Sequence, residues 1–287
     1  MPLKNVGLTG VVTLFYGELC SQMGFIPVKD PIRNKIYNYY KTEFEQNKTD
    51  FHHLLSMDKI EFQGIIDVAY RNYRFDQIVQ QLIWSRQPTE VVNLGCGMDT
   101  RYFRLNGFTG HYYDVDFKDV IREKKKLIET VPNYHFIETS SIVHESFLKD
   151  ELVLLSDNPI VMAEGVFCYI QYPSMVKFVR RLFEKYPKAI LVCDVFLFDK
   201  HLCFDDLRSR ILLRFPENGE QIYRYISKIP FLKNYKKHAD CDGKKELSGI
   251  TLSESEHGCG IIVNYNGRSY CPQYWIGTYR RVSDYLA

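Results

Sequence analysis

The segment Val91-Val92-Asn93-Leu94-Gly95-Cys96-Gly97 constrains this chain more than any other, because a short apolar run ends there in a Gly-x-Gly turn. The run reads as a buried strand, and glycines directly after it let the backbone bend sharply and approach a ligand closely. A helix is expected to open at Asp99 or Thr100, with free N–H groups pointing at that ligand. Strand, turn and helix in this order make the first unit of a parallel sheet, and the following sequence repeats the pattern. His111–Val115, Tyr134–Ile137, Ile160–Ala163 and Ile190–Val195 read as further strands. Helices are predicted over Phe117–Thr130 and Pro173–Tyr186, the second with Val176, Val179, Leu182 and Phe183 on one face. The predicted fold class is α/β, a doubly wound, mainly parallel Rossmann-like sheet.

Before that alternation begins, residues 1–85 read mainly as helix. Asp30-Pro31 marks a helix start, and Phe62–Trp84 places Phe62, Ile65, Ile66 and Ala69, then Ile78, Val79, Leu82 and Ile83, at helical spacing. The 287 residues divide, within one domain, into a helical cap (1–85), a cofactor-binding core (86–200), a substrate-recognition insertion (201–260) and closing strands (261–287). The polar stretch Lys233–Ser255 reads as a lid, a hairpin or a mobile loop, and Ile261–Tyr265 with Tyr274–Arg281 as a closing strand pair.

Charge and cysteine usage exclude several function classes. A net charge of +2 gives no electrostatic case for nucleic acid or an anionic membrane. No apolar run approaches transmembrane length. Val6–Phe15 follows Lys4 as in a signal peptide, but no small-residue cleavage site follows cleanly, and an N-terminal helix is the better reading. Eight cysteines are scattered, with Cys96, Cys168 and Cys193 in core-strand segments, which points to reduced thiols and a cytoplasmic location. His238, Cys241, His257, Cys259 and Cys271 match no zinc spacing, so no metal is expected. Lys124-Lys125-Lys126 reads as a solvated helix face.

In an open parallel sheet, ligands bind outside the carboxyl ends of the strands, and three of those ends carry acids: Asp116, Glu164 and Asp194. Asp116 lies 19 residues after Gly97, near the ~20 expected of a carboxylate that grips ribose hydroxyls, with a helix cap as its plainer role. Glu164 ends a buried strand, where an uncompensated acid is costly, so it is expected to meet a hydroxyl, an amine or a cation. A dinucleotide site wants a third small residue, but Thr100 stands there, followed by Arg101 and Tyr102. The pattern left is the one expected for S-adenosyl-L-methionine rather than NAD.

Three motifs carry a resemblance. Asn93-Leu94-Gly95-Cys96-Gly97-Met98-Asp99-Thr100, Tyr113-Asp114-Val115-Asp116-Phe117 and Ala163-Glu164-Gly165-Val166-Phe167-Cys168-Tyr169 resemble the leucine carboxyl methyltransferase family, which includes bacterial O-methyltransferases of the tetracenomycin type. The resemblance runs through roughly residues 5–200. It implies a class I methyltransferase sheet and S-adenosyl-L-methionine as cofactor. By residue, it implies that Gly95 and Gly97 line the methionine and ribose portion, Asp116 holds the ribose, and Glu164 faces the sulfonium and amino group. Arg71 matches the family arginine that pairs with the cofactor carboxylate, a task suited to its planar fork, and Arg74 competes for it. Two positions depart from the family. Thr13–Gly24 lacks the basic residue of a second carboxylate contact, and Ser140 and Ser141 replace an Asp-Leu pair at the adenine edge.

The expected activity is O-methylation of a carboxylate or hydroxyl on a small molecule or peptide; the alternatives are methylation of a protein C-terminal leucine carboxylate, or a non-catalytic protein of degenerate methyltransferase fold. A carboxylate acceptor is already anionic and needs no general base. His111, His135 and His144 are the histidines nearest the strand ends, none placed convincingly, and no catalytic residue is assigned.

Overall fold

The computed structural model describes residues 6–47, 62–129, 131–170, 172–194, 250–257, 263–265, 268–270 and 275–281. Three helices come first: α1 (Val6–Gln22), α2 (Pro31–Asn47) and α3 (Phe62–Arg86). Then β1 (Glu90–Leu94), β2 (His111–Phe117), α4 (Lys118–Leu127), β3 (Tyr134–Thr139), β4 (Ile160–Ala163), α5 (Tyr172–Lys185) and β5 (Ile190–Asp194) alternate. Strands β6 (Ile250–His257), β7 (Val263–Tyr265), β8 (Arg268–Tyr270) and β9 (Trp275–Arg281) follow.

The main sheet runs β3-β2-β1-β4-β5-β9-β6, with β1 to β5 parallel and β9 antiparallel to both neighbours. The order reverses between β1 and β4, so the crevice of this doubly wound, Rossmann-like sheet opens where Gly95 follows β1 and Glu164 follows β4. Side-chain alternation splits the core between the two faces. Val91, Tyr112, Ile160, Met162 and Val192 pack toward α1, α2 and α3, while Val92, Leu94, Val115, Val161 and Leu191 pack toward α5.

Three expectations need correcting. The helix after the glycine turn is a single 3-10 turn, Arg101–Arg104. The polar stretch ends in a strand, since Ile250–His257 forms the edge β6 beside β9. The closing strands do not pair with each other: β7 pairs with β8, while β9 lies between β5 and β6. Of the zinc candidates, His238, Cys241, Cys259 and Cys271 lie outside the described residues. Among the described residues, no group of three or more His, Cys, Asp or Glu is placed to hold a metal. Among those residues, too, no helix is long and apolar enough to cross a membrane.

Candidate functional site

Gly95 and Gly97 both take left-handed φ, +60° and +48°, where a side chain is strained, so the backbone alone dictates glycine at each. Their open faces are filled by protein. A Cβ on Gly95 would stand 2.5 Å from a Val166 methyl, and one on Gly97 3.0 Å from Cα of Gly10 in α1. The helical cap therefore lies directly on the turn. The expected free N–H groups are also engaged: Gly97 N–H donates to Asp116 Oδ2 at 2.7 Å, Asp99 N–H to the Cys96 carbonyl at 2.9 Å, and Arg101 N–H to Asp99 Oδ1 at 3.1 Å. A carboxylate of the protein thus sits where a pyrophosphate-binding turn would hold phosphate.

Asp116 is not the cap of α4, because Phe117 occupies that position without a side-chain cap bond. Its second oxygen accepts Phe117 N–H at 2.7 Å, and each oxygen keeps a lone pair for another donor. Burial pushes its carboxyl up to about 6, against the pull of the two N–H bonds. Phe117 is 41% exposed beside it, an aromatic face that sequence reading missed. Ser140 and Ser141 follow β3 on the same side, where Thr139 is in register with Phe117. Ser140 is exposed and Ser141 partly buried.

Beneath the turn, Asn93 donates to Asp99 Oδ2 at 3.2 Å and to Asp114 Oδ1 at 3.1 Å. An acid at position 93 would face two carboxylates, which explains the amide. Lys124 corrects the solvated-face reading: it is fully buried and pairs with Asp114 at 2.6 Å. It lies four residues after Val120 and three after Ile121, on the buried stripe of α4, whereas Lys126 is outward, its side chain 64% exposed.

At the crevice, eight charged side chains of the described residues join in one chain of ion pairs. Asp194 Oδ2 stands 3.1 Å from Arg71 Nη1, and Arg71 Nε donates to Glu164 Oε1 at 3.1 Å. Glu164 Oε2 accepts from Arg101 Nη2 at 2.6 Å and Asn72 Nδ2 at 3.3 Å. Arg101 continues to Asp76 and Asp99, and Arg104 to Asp76, Asp99 and Asp30. Among these described side chains, five acids against three arginines leave a formal excess of two negative charges, suited to a ligand carrying positive charge. Burial would raise Asp99, but Arg101 and Arg104 hold its carboxyl below the ordinary range.

Sequence-predicted residues thus fall into two groups. Arg71, Glu164 and the turn meet at the crevice, with Asp116 bonded to Gly97, while Ser140 and Ser141 stand further out past β3. Arg74 bonds Gln77 on its own helix. The charged half of the site fits a zwitterionic amino-acid group, because a paired arginine and glutamate offer partners for its carboxylate and ammonium side by side. The model for leucine carboxyl methyltransferase matches residues 28–182. The chain belongs to the leucine carboxyl methyltransferase family.

Within the curated relatives, 131 residues are 27% identical to the tetracenomycin polyketide synthesis O-methyltransferase TcmP of Streptomyces glaucescens, covering 45% of this chain and 47% of that one. A second match, the S-adenosyl-L-methionine-dependent methyltransferase dpfgK of Gibberella zeae, is 26% identical over 157 residues, covering 53% of this chain and 49% of the relative. The chain spans about half the length of the curated relatives it matches. A solved structure of a DUF574 family protein from Streptomyces avermitilis superposes with a TM-score of 0.47 at 11% identity, covering 94% and 96% of the two chains.

Proposed function

We propose that this member of the leucine carboxyl methyltransferase family is an S-adenosyl-L-methionine-dependent O-methyltransferase acting on a carboxylate or hydroxyl of a small molecule or peptide. The observation that carries the reading is the Arg71–Glu164 pair at the strand crossover, where Glu164 follows β4 beside the glycine turn that follows β1 and is tied to Asp116 through Gly97. When bound, the cofactor supplies a methyl group already activated on a sulfonium. Arg71 binds its carboxylate, Glu164 accepts its ammonium, and Asp116 accepts the ribose hydroxyls. Gly95 and Gly97 line the methionine and ribose portion, set at their depth by Val166 and Gly10. Phe117 gives adenine an aromatic face, and Ser140 and Ser141 bond its edge. The remaining work is orientation and exclusion of water around an in-line approach. Substrate recognition falls to residues 201–260, and the location is cytoplasmic, in keeping with buried thiols at Cys20, Cys96 and Cys193.

Calorimetric titration with S-adenosyl-L-homocysteine tests the cofactor. Micromolar binding is expected, and no heat at millimolar ligand overturns the reading. A tritiated-methyl assay on lysate then separates acceptors: label volatile after mild base is a methyl ester, and base-stable label an ether. The close packing of Val166 and Gly10 on the two glycines favours a second reading, a non-catalytic protein of the same fold, and the absence of binding would select it.

A further inference from the structure

Arg71 is gripped from two sides, and the two grips have different fates once a ligand binds. Glu164 faces the crevice and already serves Arg71, Arg101 and Asn72. Asp194, at the end of β5, lies behind it; its Oδ1 accepts Gly165 N–H at 2.8 Å, and its side chain is 3% exposed. Its Oδ2 stands 3.1 Å from Arg71 Nη1 but outside hydrogen-bond alignment, so the pair is held by charge. A Cβ on Gly165, at φ +68°, would come 3.4 Å from Arg71 Nη2, so the guanidinium lies across the Glu164-Gly165 backbone with Asp194 beneath.

We infer that Asp194 is a positioning residue for the cofactor carboxylate: it holds Arg71 toward the crevice after Glu164 has been taken by the ligand's ammonium. The inference rests on the cofactor reading above. A ligand that claims both Glu164 and Arg71 breaks their mutual contact, and the Asp194 charge, 3.1 Å from Arg71 Nη1, still holds the guanidinium in place. Among the described residues, the charged groups facing Asp194 are Arg71 from α3 and Glu164 from β4, with Arg101 beyond Glu164; from β9 the residue in register is the apolar Ile276. Burial lifts the Asp194 carboxyl to about 6, opposed by Arg71, so its charge is present at neutral pH and lost in mild acid.

The test is a titration of S-adenosyl-L-homocysteine into wild type, Asp194→Asn, Arg71→Ala and the double variant. Asn keeps an oxygen for Gly165 N–H, so only the charge is removed. Asp194→Asn is expected to weaken binding about tenfold or more at pH 7.5, in the range of a lost charge-assisted contact. The double variant should bind no worse than Arg71→Ala, since a residue acting through another is non-additive with it. Asp194→Asn should also lose affinity less steeply than wild type below pH 6, which a purely structural role would not produce. Asp194→Glu, which keeps the charge, should bind better than Asp194→Asn and guards against a folding defect in the amide variant. Full affinity in Asp194→Asn alongside a weakened Arg71→Ala, additive losses, or a reversed Glu and Asn order overturns the inference while leaving the cofactor reading intact. Failure of wild type to bind removes both.

Discussion

Replacing Asp30 tests whether one carboxylate fastens the helical cap to the glycine turn. Asp30 precedes Pro31, the first residue of α2, and its Oδ1 accepts Arg33 N–H at 2.9 Å as an N-cap. Its Oδ2 accepts the Thr100 hydroxyl at 2.5 Å and Arg104 Nη1 at 2.7 Å, and its side chain is 0% exposed. Asp30→Asn preserves a good N-cap oxygen but withdraws the charge from Arg104, which keeps Asp76 and Asp99. That loss costs about 1.5–2 kcal/mol, the lower part of the range for a hydrogen bond to a charged group. Asp30→Ala also removes the cap, about 1 kcal/mol, and withdraws the Thr100 contact, for a total of about 3–4 kcal/mol. At roughly 2–4 °C per kcal/mol for a chain of this size, Asp30→Ala should melt about 10 °C below wild type and Asp30→Asn about 4 °C below. Circular dichroism melts at pH 7 measure both. An unchanged melting temperature for Asp30→Ala would refute the fastening; equal losses in the two variants would refute the share given to the cap and hydroxyl.

Two further outcomes follow from the same geometry. Asp116 is raised by burial to about 6, so it is ionised above that pH and loses acceptor capacity below it; cofactor affinity should be level above about pH 7 and fall by up to tenfold per pH unit below about 6. Titrations with S-adenosyl-L-homocysteine from pH 5 to 8 check this, and a flat profile down to pH 5 contradicts it. Lys124→Met leaves Asp114 buried beside Tyr134 and Asn93 without its cation, a loss of about 3 kcal/mol that should lower the melting temperature roughly 10 °C. Lys125→Met, whose pair with Glu138 is exposed, should melt within about 1 °C of wild type, and equal effects at the two lysines would contradict the buried pairing.

Much of this architecture was legible because its signals are local. Ile160–Ala163 reads as a strand from an uninterrupted apolar run, and it is β4. Asp30-Pro31 announces α2 through capping chemistry confined to four residues. The edge strand β6 was not legible, because Leu252-Ser253-Glu254-Ser255-Glu256-His257 is polar and becomes a strand by pairing with β9, far along the chain. Lys124 was misread because three consecutive lysines suggest solvent, although the helical period from Val120 and Ile121 puts one of them inside.

The sequence by itself determined that Gly95, Gly97, Asp116, Glu164 and Asp194 gather at one end of a parallel sheet. Parallel strands share a direction, so residues at their carboxyl ends converge whatever the rest of the chain does. Only the tertiary structure decided which charges meet. Arg71 and Glu164 are 93 residues apart, and Arg104 and Asp30 74 apart, distances over which no periodicity or cap speaks. It also decided that the notches at Gly95 and Gly97 are filled by Val166 and Gly10, because close approach between segments depends on how α1 and the β4 loop pack on the sheet.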